Sequence, residues 1–193
     1  MAILKVICEP SPLLHQKAMK VEIFDENLRN FARDLLATMY AHDGCGLASV
    51  QVEDDPRVAF AEVLDGFRNQ PDVVAVDRFG CEDEDAKLLV NARIIEHSSE
   101  TETGFEGCVS VPNFPVKVTR FKKVRVKFQD IFGNEHEEEL SQTSNRRNYD
   151  YIIFQHEIDH QDGITLITKA TDGVNAMQKL VIWKKYEMAS RRR

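Results

Sequence analysis

Two spacings of apolar residues divide the chain. Leu28, Phe31, Leu35, Leu36 and Met39 recur at helical spacing, with Asp25 or Asn27 available as the N-terminal cap and Gly44 just past the end. This pattern predicts a core-packing helix running to about His42. Between residues 56 and 140 the pattern becomes strand-like, with apolar runs at 58–63, 72–76, 88–90, 116–119 and 124–128. Residues 130–134 read as a hairpin turn into a strand at 136–140. Tyr151, Ile152, Ile153 and Phe154 then open a second helix, expected to start between Asn145 and Asn148 and to stop at Gly163. It is apolar nearly all round at its start, so it should be buried. Beyond the short apolar run 164–167, an amphipathic helix is expected from about Asp172, carrying Val174, Met177, Leu180, Val181 and Trp183. The fold class that follows is α+β: mostly antiparallel strands around a central buried helix, with helices towards both ends.

The buried helix carries the chemistry. His156, Glu157 and His160 form an H-E-x-x-H motif. At 3.6 residues per turn, imidazoles four apart share one face and can converge on one divalent ion, while the carboxylate between them leans towards a water on that ion. A hydrolytic site needs a third protein ligand and an open position. The sequence offers Cys8, Cys45, Cys81, Cys108, His15, His42, His97 and His136 for that role. Cys108 stands out because it follows Gly107 directly, where the backbone can pass close to a site.

Composition narrows the context. With 193 residues the chain suits one globular domain, residues 1–193, large enough to bury a core. A net charge of −7 argues against DNA or RNA as the main partner. No apolar run approaches the ~20 residues of a membrane span, and the N-terminus lacks the regions of a signal peptide, so a cytoplasmic location is expected. The four cysteines form no C-x-x-C pair, and free thiols are expected in such a compartment. Residues 66–87 read as a surface insertion with an acidic tip at 82–85, a solvated loop in preference to a lid.

Three motifs in order give a resemblance. GCGLASVQ (44–51), EGCVS (106–110) and QHEIDH (155–160) match the G-x-G-L-A-A-x-Q, E-G-C-L-S and Q-H-E-x-D-H motifs of the peptide deformylases. The chain resembles that family from Ile3 to about Leu166. The resemblance implies a metal-dependent hydrolase that removes the formyl group from N-formylmethionine at the start of nascent polypeptides and releases formate. It implies Cys108, His156 and His160 as metal ligands, with Fe2+ the expected ion and Zn2+, Ni2+ or Co2+ also accepted by such a donor set. Glu157 is then the general acid and base, and the Gln51 side chain and the Val109 backbone N–H stabilise the developing oxyanion. Gly44, Gly46 and Gly107 line the path of an extended substrate, Cys45, Val109 and Ile153 the methionine pocket, and Glu106 an ion pair with Arg120. Asp159 is a candidate partner for a ligand imidazole or a simple surface carboxylate.

Some positions depart from the family pattern. Ser49-Val50 stand where Ala-Pro is common, Val109 where Leu is common, Pro115 near a common Arg, and Gln161 where Leu is usual. These bear on substrate affinity and pocket shape, and none is a ligand or the base. Two other classes share parts of this pattern. An H-E-x-x-H zinc metallopeptidase usually takes its third ligand downstream, and no His follows His160. A non-catalytic formyl-peptide-binding descendant would have lost a ligand or the base, and all four groups persist. Lys184, Lys185 and the basic 191–193 tail, together with the 172–193 helix, form a candidate ribosome contact by the same resemblance, against a solvated tail.

Overall fold

The computed structural model describes residues 1–53, 70–77, 86–142, 149–172, 175–176 and 178–181. The expected strand at 58–63, residues 66–69 and 78–85 of the expected insertion, the 145–148 helix start, Trp183 and the basic tail lie outside these residues. Residues 73–76, inside the span expected as a surface insertion, are instead a buried strand of the central sheet.

The first predicted helix is α1, Glu26–Ala41, and of the two candidate caps it is Asp25 that accepts from Leu28 N, at 2.9 Å. Such a cap contributes about 1 kcal/mol. Leu28, Phe31, Leu35 and Met39 are all buried, each burial contributing roughly 1.5–3 kcal/mol before the entropy of ordering is counted. At the other end the left-handed residue is Asp43 (φ 53), not Gly44, although Gly44 N does return to Met39 O.

A five-stranded antiparallel sheet forms the centre, in the order β1 (Gly46–Ala48), β2 (Val73–Val76), β3 (Lys87–His97), β6 (Lys123–Gln129), β7 (Glu135–Ser141). Strands β4 (Thr101–Cys108) and β5 (Val111–Phe121) make a separate two-stranded ribbon. β2 explains the layering, because it is buried on both faces. Val73 and Ala75 join the core under α1, whereas Val74 and Val76 join the core under α2 (Asp150–Gln161) with Phe154 and Ile158. The alternation of a strand thus serves two helices at once.

α2 starts at Asp150 after Tyr149, later than the 145–148 expected, and no side chain caps it. Its end is as predicted: Gly163 has φ 75, and a Cβ there would lie 2.7 Å from His15 O. The ribbon packs through Val111, Val116 and Val118 against α3 (Leu166–Lys169), Ala176 and Leu180. Sequence reasoning found the centre of β5 but not β4, whose residues are mostly exposed and carry no apolar alternation. Among the described residues no helix is long and apolar enough to cross a membrane.

Candidate active site

The ribbon brings Cys108 to the side of α2 that bears the histidines. Cys108 Sγ lies 3.3 Å from His160 Nε2, and His160 Nε2 lies 3.2 Å from His156 Nε2. The three donor atoms all fall within 4.8 Å of one another. A tetrahedral ion with bonds of ~2.1–2.3 Å keeps its ligand atoms about 3.4–3.7 Å apart, so this cluster needs only small shifts to fit one. One thiol and two imidazoles are also the donor chemistry of such a site.

The other sequence candidates for a third ligand are elsewhere. Cys8 is exposed with its thiol towards Val109 O, and His15 faces Glu9. His97 stacks on Phe121 and His136 sits beside Asp130. His42 and Cys45 line the cavity without joining the cluster, and Cys81 is outside the described residues.

One imidazole is held by a charged network. His156 Nδ1 bonds to Glu106 Oε2 at 2.8 Å, which leaves its Nε2 for the cluster. Glu106 in turn receives both Nε and Nη2 of Arg120, at 2.7 and 2.9 Å. Arg120 also pairs with Asp159, whose second oxygen meets Lys169 at 3.1 Å. Asp159 therefore supports Arg120, and the carboxylate on the imidazole is Glu106. Burial pushes the Glu106 carboxyl up, but Arg120 and His156 outweigh it and hold it at about 2. Burial likewise pushes His156 down, and hydrogen bonding to Cys108 and Glu106 reverses the direction, well above its ordinary value. His160 goes the other way, lowered by burial and by His156 and Arg120.

Glu157 has no such partners. It is 4% exposed, and its Oε2 is buried with no hydrogen-bond partner. Burial raises its carboxyl to about 7, against the pull of His156 and Arg120. A Cβ on Gly46 would sit 2.3 Å from Glu157 Oε1, so this glycine is required by the carboxylate beside it. A Cβ on Gly107 would meet nothing within 4 Å, so that backbone faces open space.

Gln51 completes the wall. Its Oε1 accepts from Ala48 N at 2.8 Å, which fixes the amide orientation. Its Nε2 donates to Ser110 Oγ at 3.1 Å and towards Cys108 Sγ at 3.2 Å. These groups border a cavity of about 560 Å³, which is also lined by Gly44, Cys45, Val109 and Ile153. Burial pushes the Cys45 thiol up, with Asp77 and Glu157 adding to it, so it remains a neutral apolar wall. Asp43, Pro112 and Asn113 also line the cavity and went unread in the sequence, while His42, read there as a candidate ligand, and Ile152, read as helix core, are cavity wall. Asn113, with φ 58, carried the only local hint, a polar residue able to turn the chain after Pro112.

The arrangement sets three donor atoms that could hold one metal ion, a buried carboxyl raised to about 7 and an oriented amide beside a cavity with one open backbone edge. Known proteins match the chain over most of its length. Residues 3–176 fit the polypeptide deformylase family. The peptide deformylase of Wolinella succinogenes is 35% identical over 190 residues, covering 98% of this chain and 96% of its own. That of Thermotoga maritima is 34% identical over 174 residues, covering 90% and 88%. The crystal structure of a peptide deformylase from Legionella pneumophila superposes with a TM-score of 0.77 at 28% identity, covering 97% of this chain and 98% of that one. A peptide deformylase from Synechococcus elongatus in complex with actinonin gives 0.76 at 25% identity, covering 94% and 88%. The chain belongs to the polypeptide deformylase family, and its activity is that family's metal-dependent removal of the N-formyl group from nascent polypeptides.

Proposed function

We propose that Cys108, His156 and His160 bind one ferrous ion and that Glu157 moves the protons of the hydrolysis. The observation that carries this reading is the convergence of one thiol and two imidazoles, two of the three groups lining a cavity, with a buried, unpartnered carboxylate oxygen on the same wall. When bound, a divalent ion supplies Lewis acidity and lowers the pKa of a coordinated water from ~15.7 towards ~7. Glu157 takes a proton from the attacking water and returns it to the departing amine, and a carboxyl near pH 7 suits both directions. Gln51 Nε2 and the Val109 backbone N–H donate to the charge that grows on the formyl oxygen. Glu106 orients His156, Arg120 holds Glu106, and Asp159 steadies Arg120.

The substrate lies extended along the open backbone at Gly107, past Gly44 and Gly46, by strand addition. Its methionine side chain enters between Cys45, Val109 and Ile153, where a flexible thioether fits an apolar wall. Residues 1–193 act as one cytoplasmic catalytic domain on nascent chains; the basic tail, a candidate ribosome contact or a solvated segment, lies outside the described residues.

The test is anaerobic purification with metal analysis and a formate-release assay on formyl-Met peptides. Cys108→Ala should lose the metal and most turnover, and Cys8→Ala should lose neither. Full metal occupancy in the Cys108 variant would overturn the ligand set. In the same assay iron-loaded enzyme should lose activity in air while the nickel-loaded form keeps it, because only iron changes oxidation state beside the thiolate. Air-stable activity that tracks zinc content would overturn the assignment of iron.

A further inference from the structure

Two buried polar side chains that take no part in the chemistry meet behind the site. Ser49 opens the 3-10 turn Ser49–Gln51, which carries Gln51. Gln161 is the last residue of α2 and follows His160 directly. The two positions are 112 residues apart, yet Ser49 Oγ lies 3.2 Å from Gln161 Oε1. Both are buried, Ser49 completely and Gln161 to 4% exposure.

Their remaining bonds grip one short segment where β2 begins. The Ser49 hydroxyl proton is shared between Gln161 Oε1 and the carbonyl of Pro71. Gln161 Nε2 donates to the carbonyl of Val73 at 2.7 Å, which fixes which end of its amide is oxygen. The Gln161 main-chain carbonyl accepts from Ala18 N at 2.8 Å. The turn under Gln51 and the helix end under His160 are thereby tied to each other and to residues 71–73. They are also two positions at which the motifs depart from the family pattern, so a polar pair stands where an apolar one is usual.

We propose that Ser49 and Gln161 act as a coupled pair of positioning residues, which set the 3-10 turn against the end of α2 and so hold the Gln51 carboxamide against Cys108 and Ser110. The proposal rests on the oxyanion role of Gln51 given above. The physical reason for coupling is the hydrogen bond the two side chains share: Ser49→Ala leaves the buried Gln161 Oε1 without its donor, and Gln161→Leu leaves the Ser49 hydroxyl only its bond to Pro71, whereas the double substitution removes both polar groups and costs only the donor to the Val73 carbonyl. A displaced turn carries the Gln51 amide with it, since that amide is anchored on Ala48 N within the same segment.

A double-mutant cycle tests this, with kcat and KM for a formyl-Met peptide, thermal denaturation, and the Gln51 side-chain amide resonances of zinc-loaded protein as readouts. Ser49→Ala and Gln161→Leu should each lower kcat about fivefold to twentyfold with KM within about twofold, and should shift the Gln51 resonances. The double variant should recover kcat to within about threefold of the parent and return the resonances towards their original positions. Gln51→Ala serves as the reference. If it is inactive while both single variants keep full kcat and unshifted resonances, or if the two losses simply multiply in the double variant, the coupled pair is overturned and the role of Gln51 stands. Full activity in Gln51→Ala would overturn the oxyanion role itself, a result the single variants cannot mimic.

Discussion

Glu106 and Glu157 flank the same imidazole region, and both are buried, yet their carboxyls are driven apart, to about 2 and about 7. Glu106 lies against His156 Nδ1, where it receives two bonds from Arg120 and one from the ring. Glu157 faces the cavity, where Gly46 clears the space beside it and one of its oxygens has no protein partner. Burial acts on both in the same direction. What separates them is a fixed cation network on one side and none on the other. A carboxylate locked as an anion is suited to orient a ligand, and one that gains and loses its proton near neutrality is suited to acid–base work. The difference between structural and catalytic carboxylates is therefore written in their neighbours.

The largest effect should come from removing the mobile proton. Glu157→Ala is expected to lower turnover by about 10²–10⁴-fold while the protein keeps its metal, checked by formate release and metal content on the same preparation. If metal and turnover disappeared together, Glu157 would belong with the ligands or their supports, and the contrast with Glu106 would collapse.

Removing the fixed anion should act through the metal instead. Glu106→Ala leaves Arg120 buried without its bidentate partner and frees the ring of His156, so metal affinity should fall about 10–100-fold. Breaking a buried ion network of this kind also costs about 3–5 kcal/mol of stability. Competitive metal titration and denaturant unfolding measure the two losses separately. Saturating metal should restore much of the turnover of the Glu106 variant and none of that of the Glu157 variant; equal rescue of both would show that the two carboxylates do the same work.

How far such distinctions could be read beforehand differs between elements. α1 was legible because its cap and its apolar stripe obey one period, and α2 was legible because two histidines four apart have a chemical reason to share a face. β4 was not. Thr101–Cys108 has no alternation to detect, since it is an edge strand of a ribbon whose side chains mostly face solvent, and its pairing is dictated by β5. Glu106, which sits on that strand, was found through motif resemblance alone. Gly46 was expected for its open backbone, whereas the structure requires it for the room beside Glu157. Ser49 and Gln161 read only as departures from a motif, because a contact between residues 112 apart leaves no local pattern. The direction of each carboxyl's shift was equally invisible, since it is set by partners from other elements.

A third carboxyl separates the contribution of burial from that of the active site. Asp72 lies outside the catalytic cavity, on a smaller one of about 160 Å³ shared with Lys17, Asn91, Arg93, Gln161 and Asp162. Burial pushes its carboxyl up, Asp162 adds to the shift, and Lys17 and Arg93 pull weakly against it, giving about 7. In the unfolded chain the same group ionises near its ordinary value of ~3.9. Between these values the folded protein binds more protons than the unfolded one, so this group's contribution to stability is complete below about pH 4 and is lost as pH rises through about 7. Above that, the fold must keep a buried charge whose Oδ1 has no partner. Asp72→Asn cannot ionise. Its stability relative to the parent should rise by about 2–3 kcal/mol between pH 5 and pH 8, roughly 4–12 °C in Tm, measured on metal-free protein. A difference that did not change with pH would mean that burial at this depth leaves a carboxyl unshifted, and the high value at Glu157 would then need a cause special to its site. The expected slope would instead assign the shift of Glu157 to burial, and leave its catalytic suitability to its position against the histidines and the cavity.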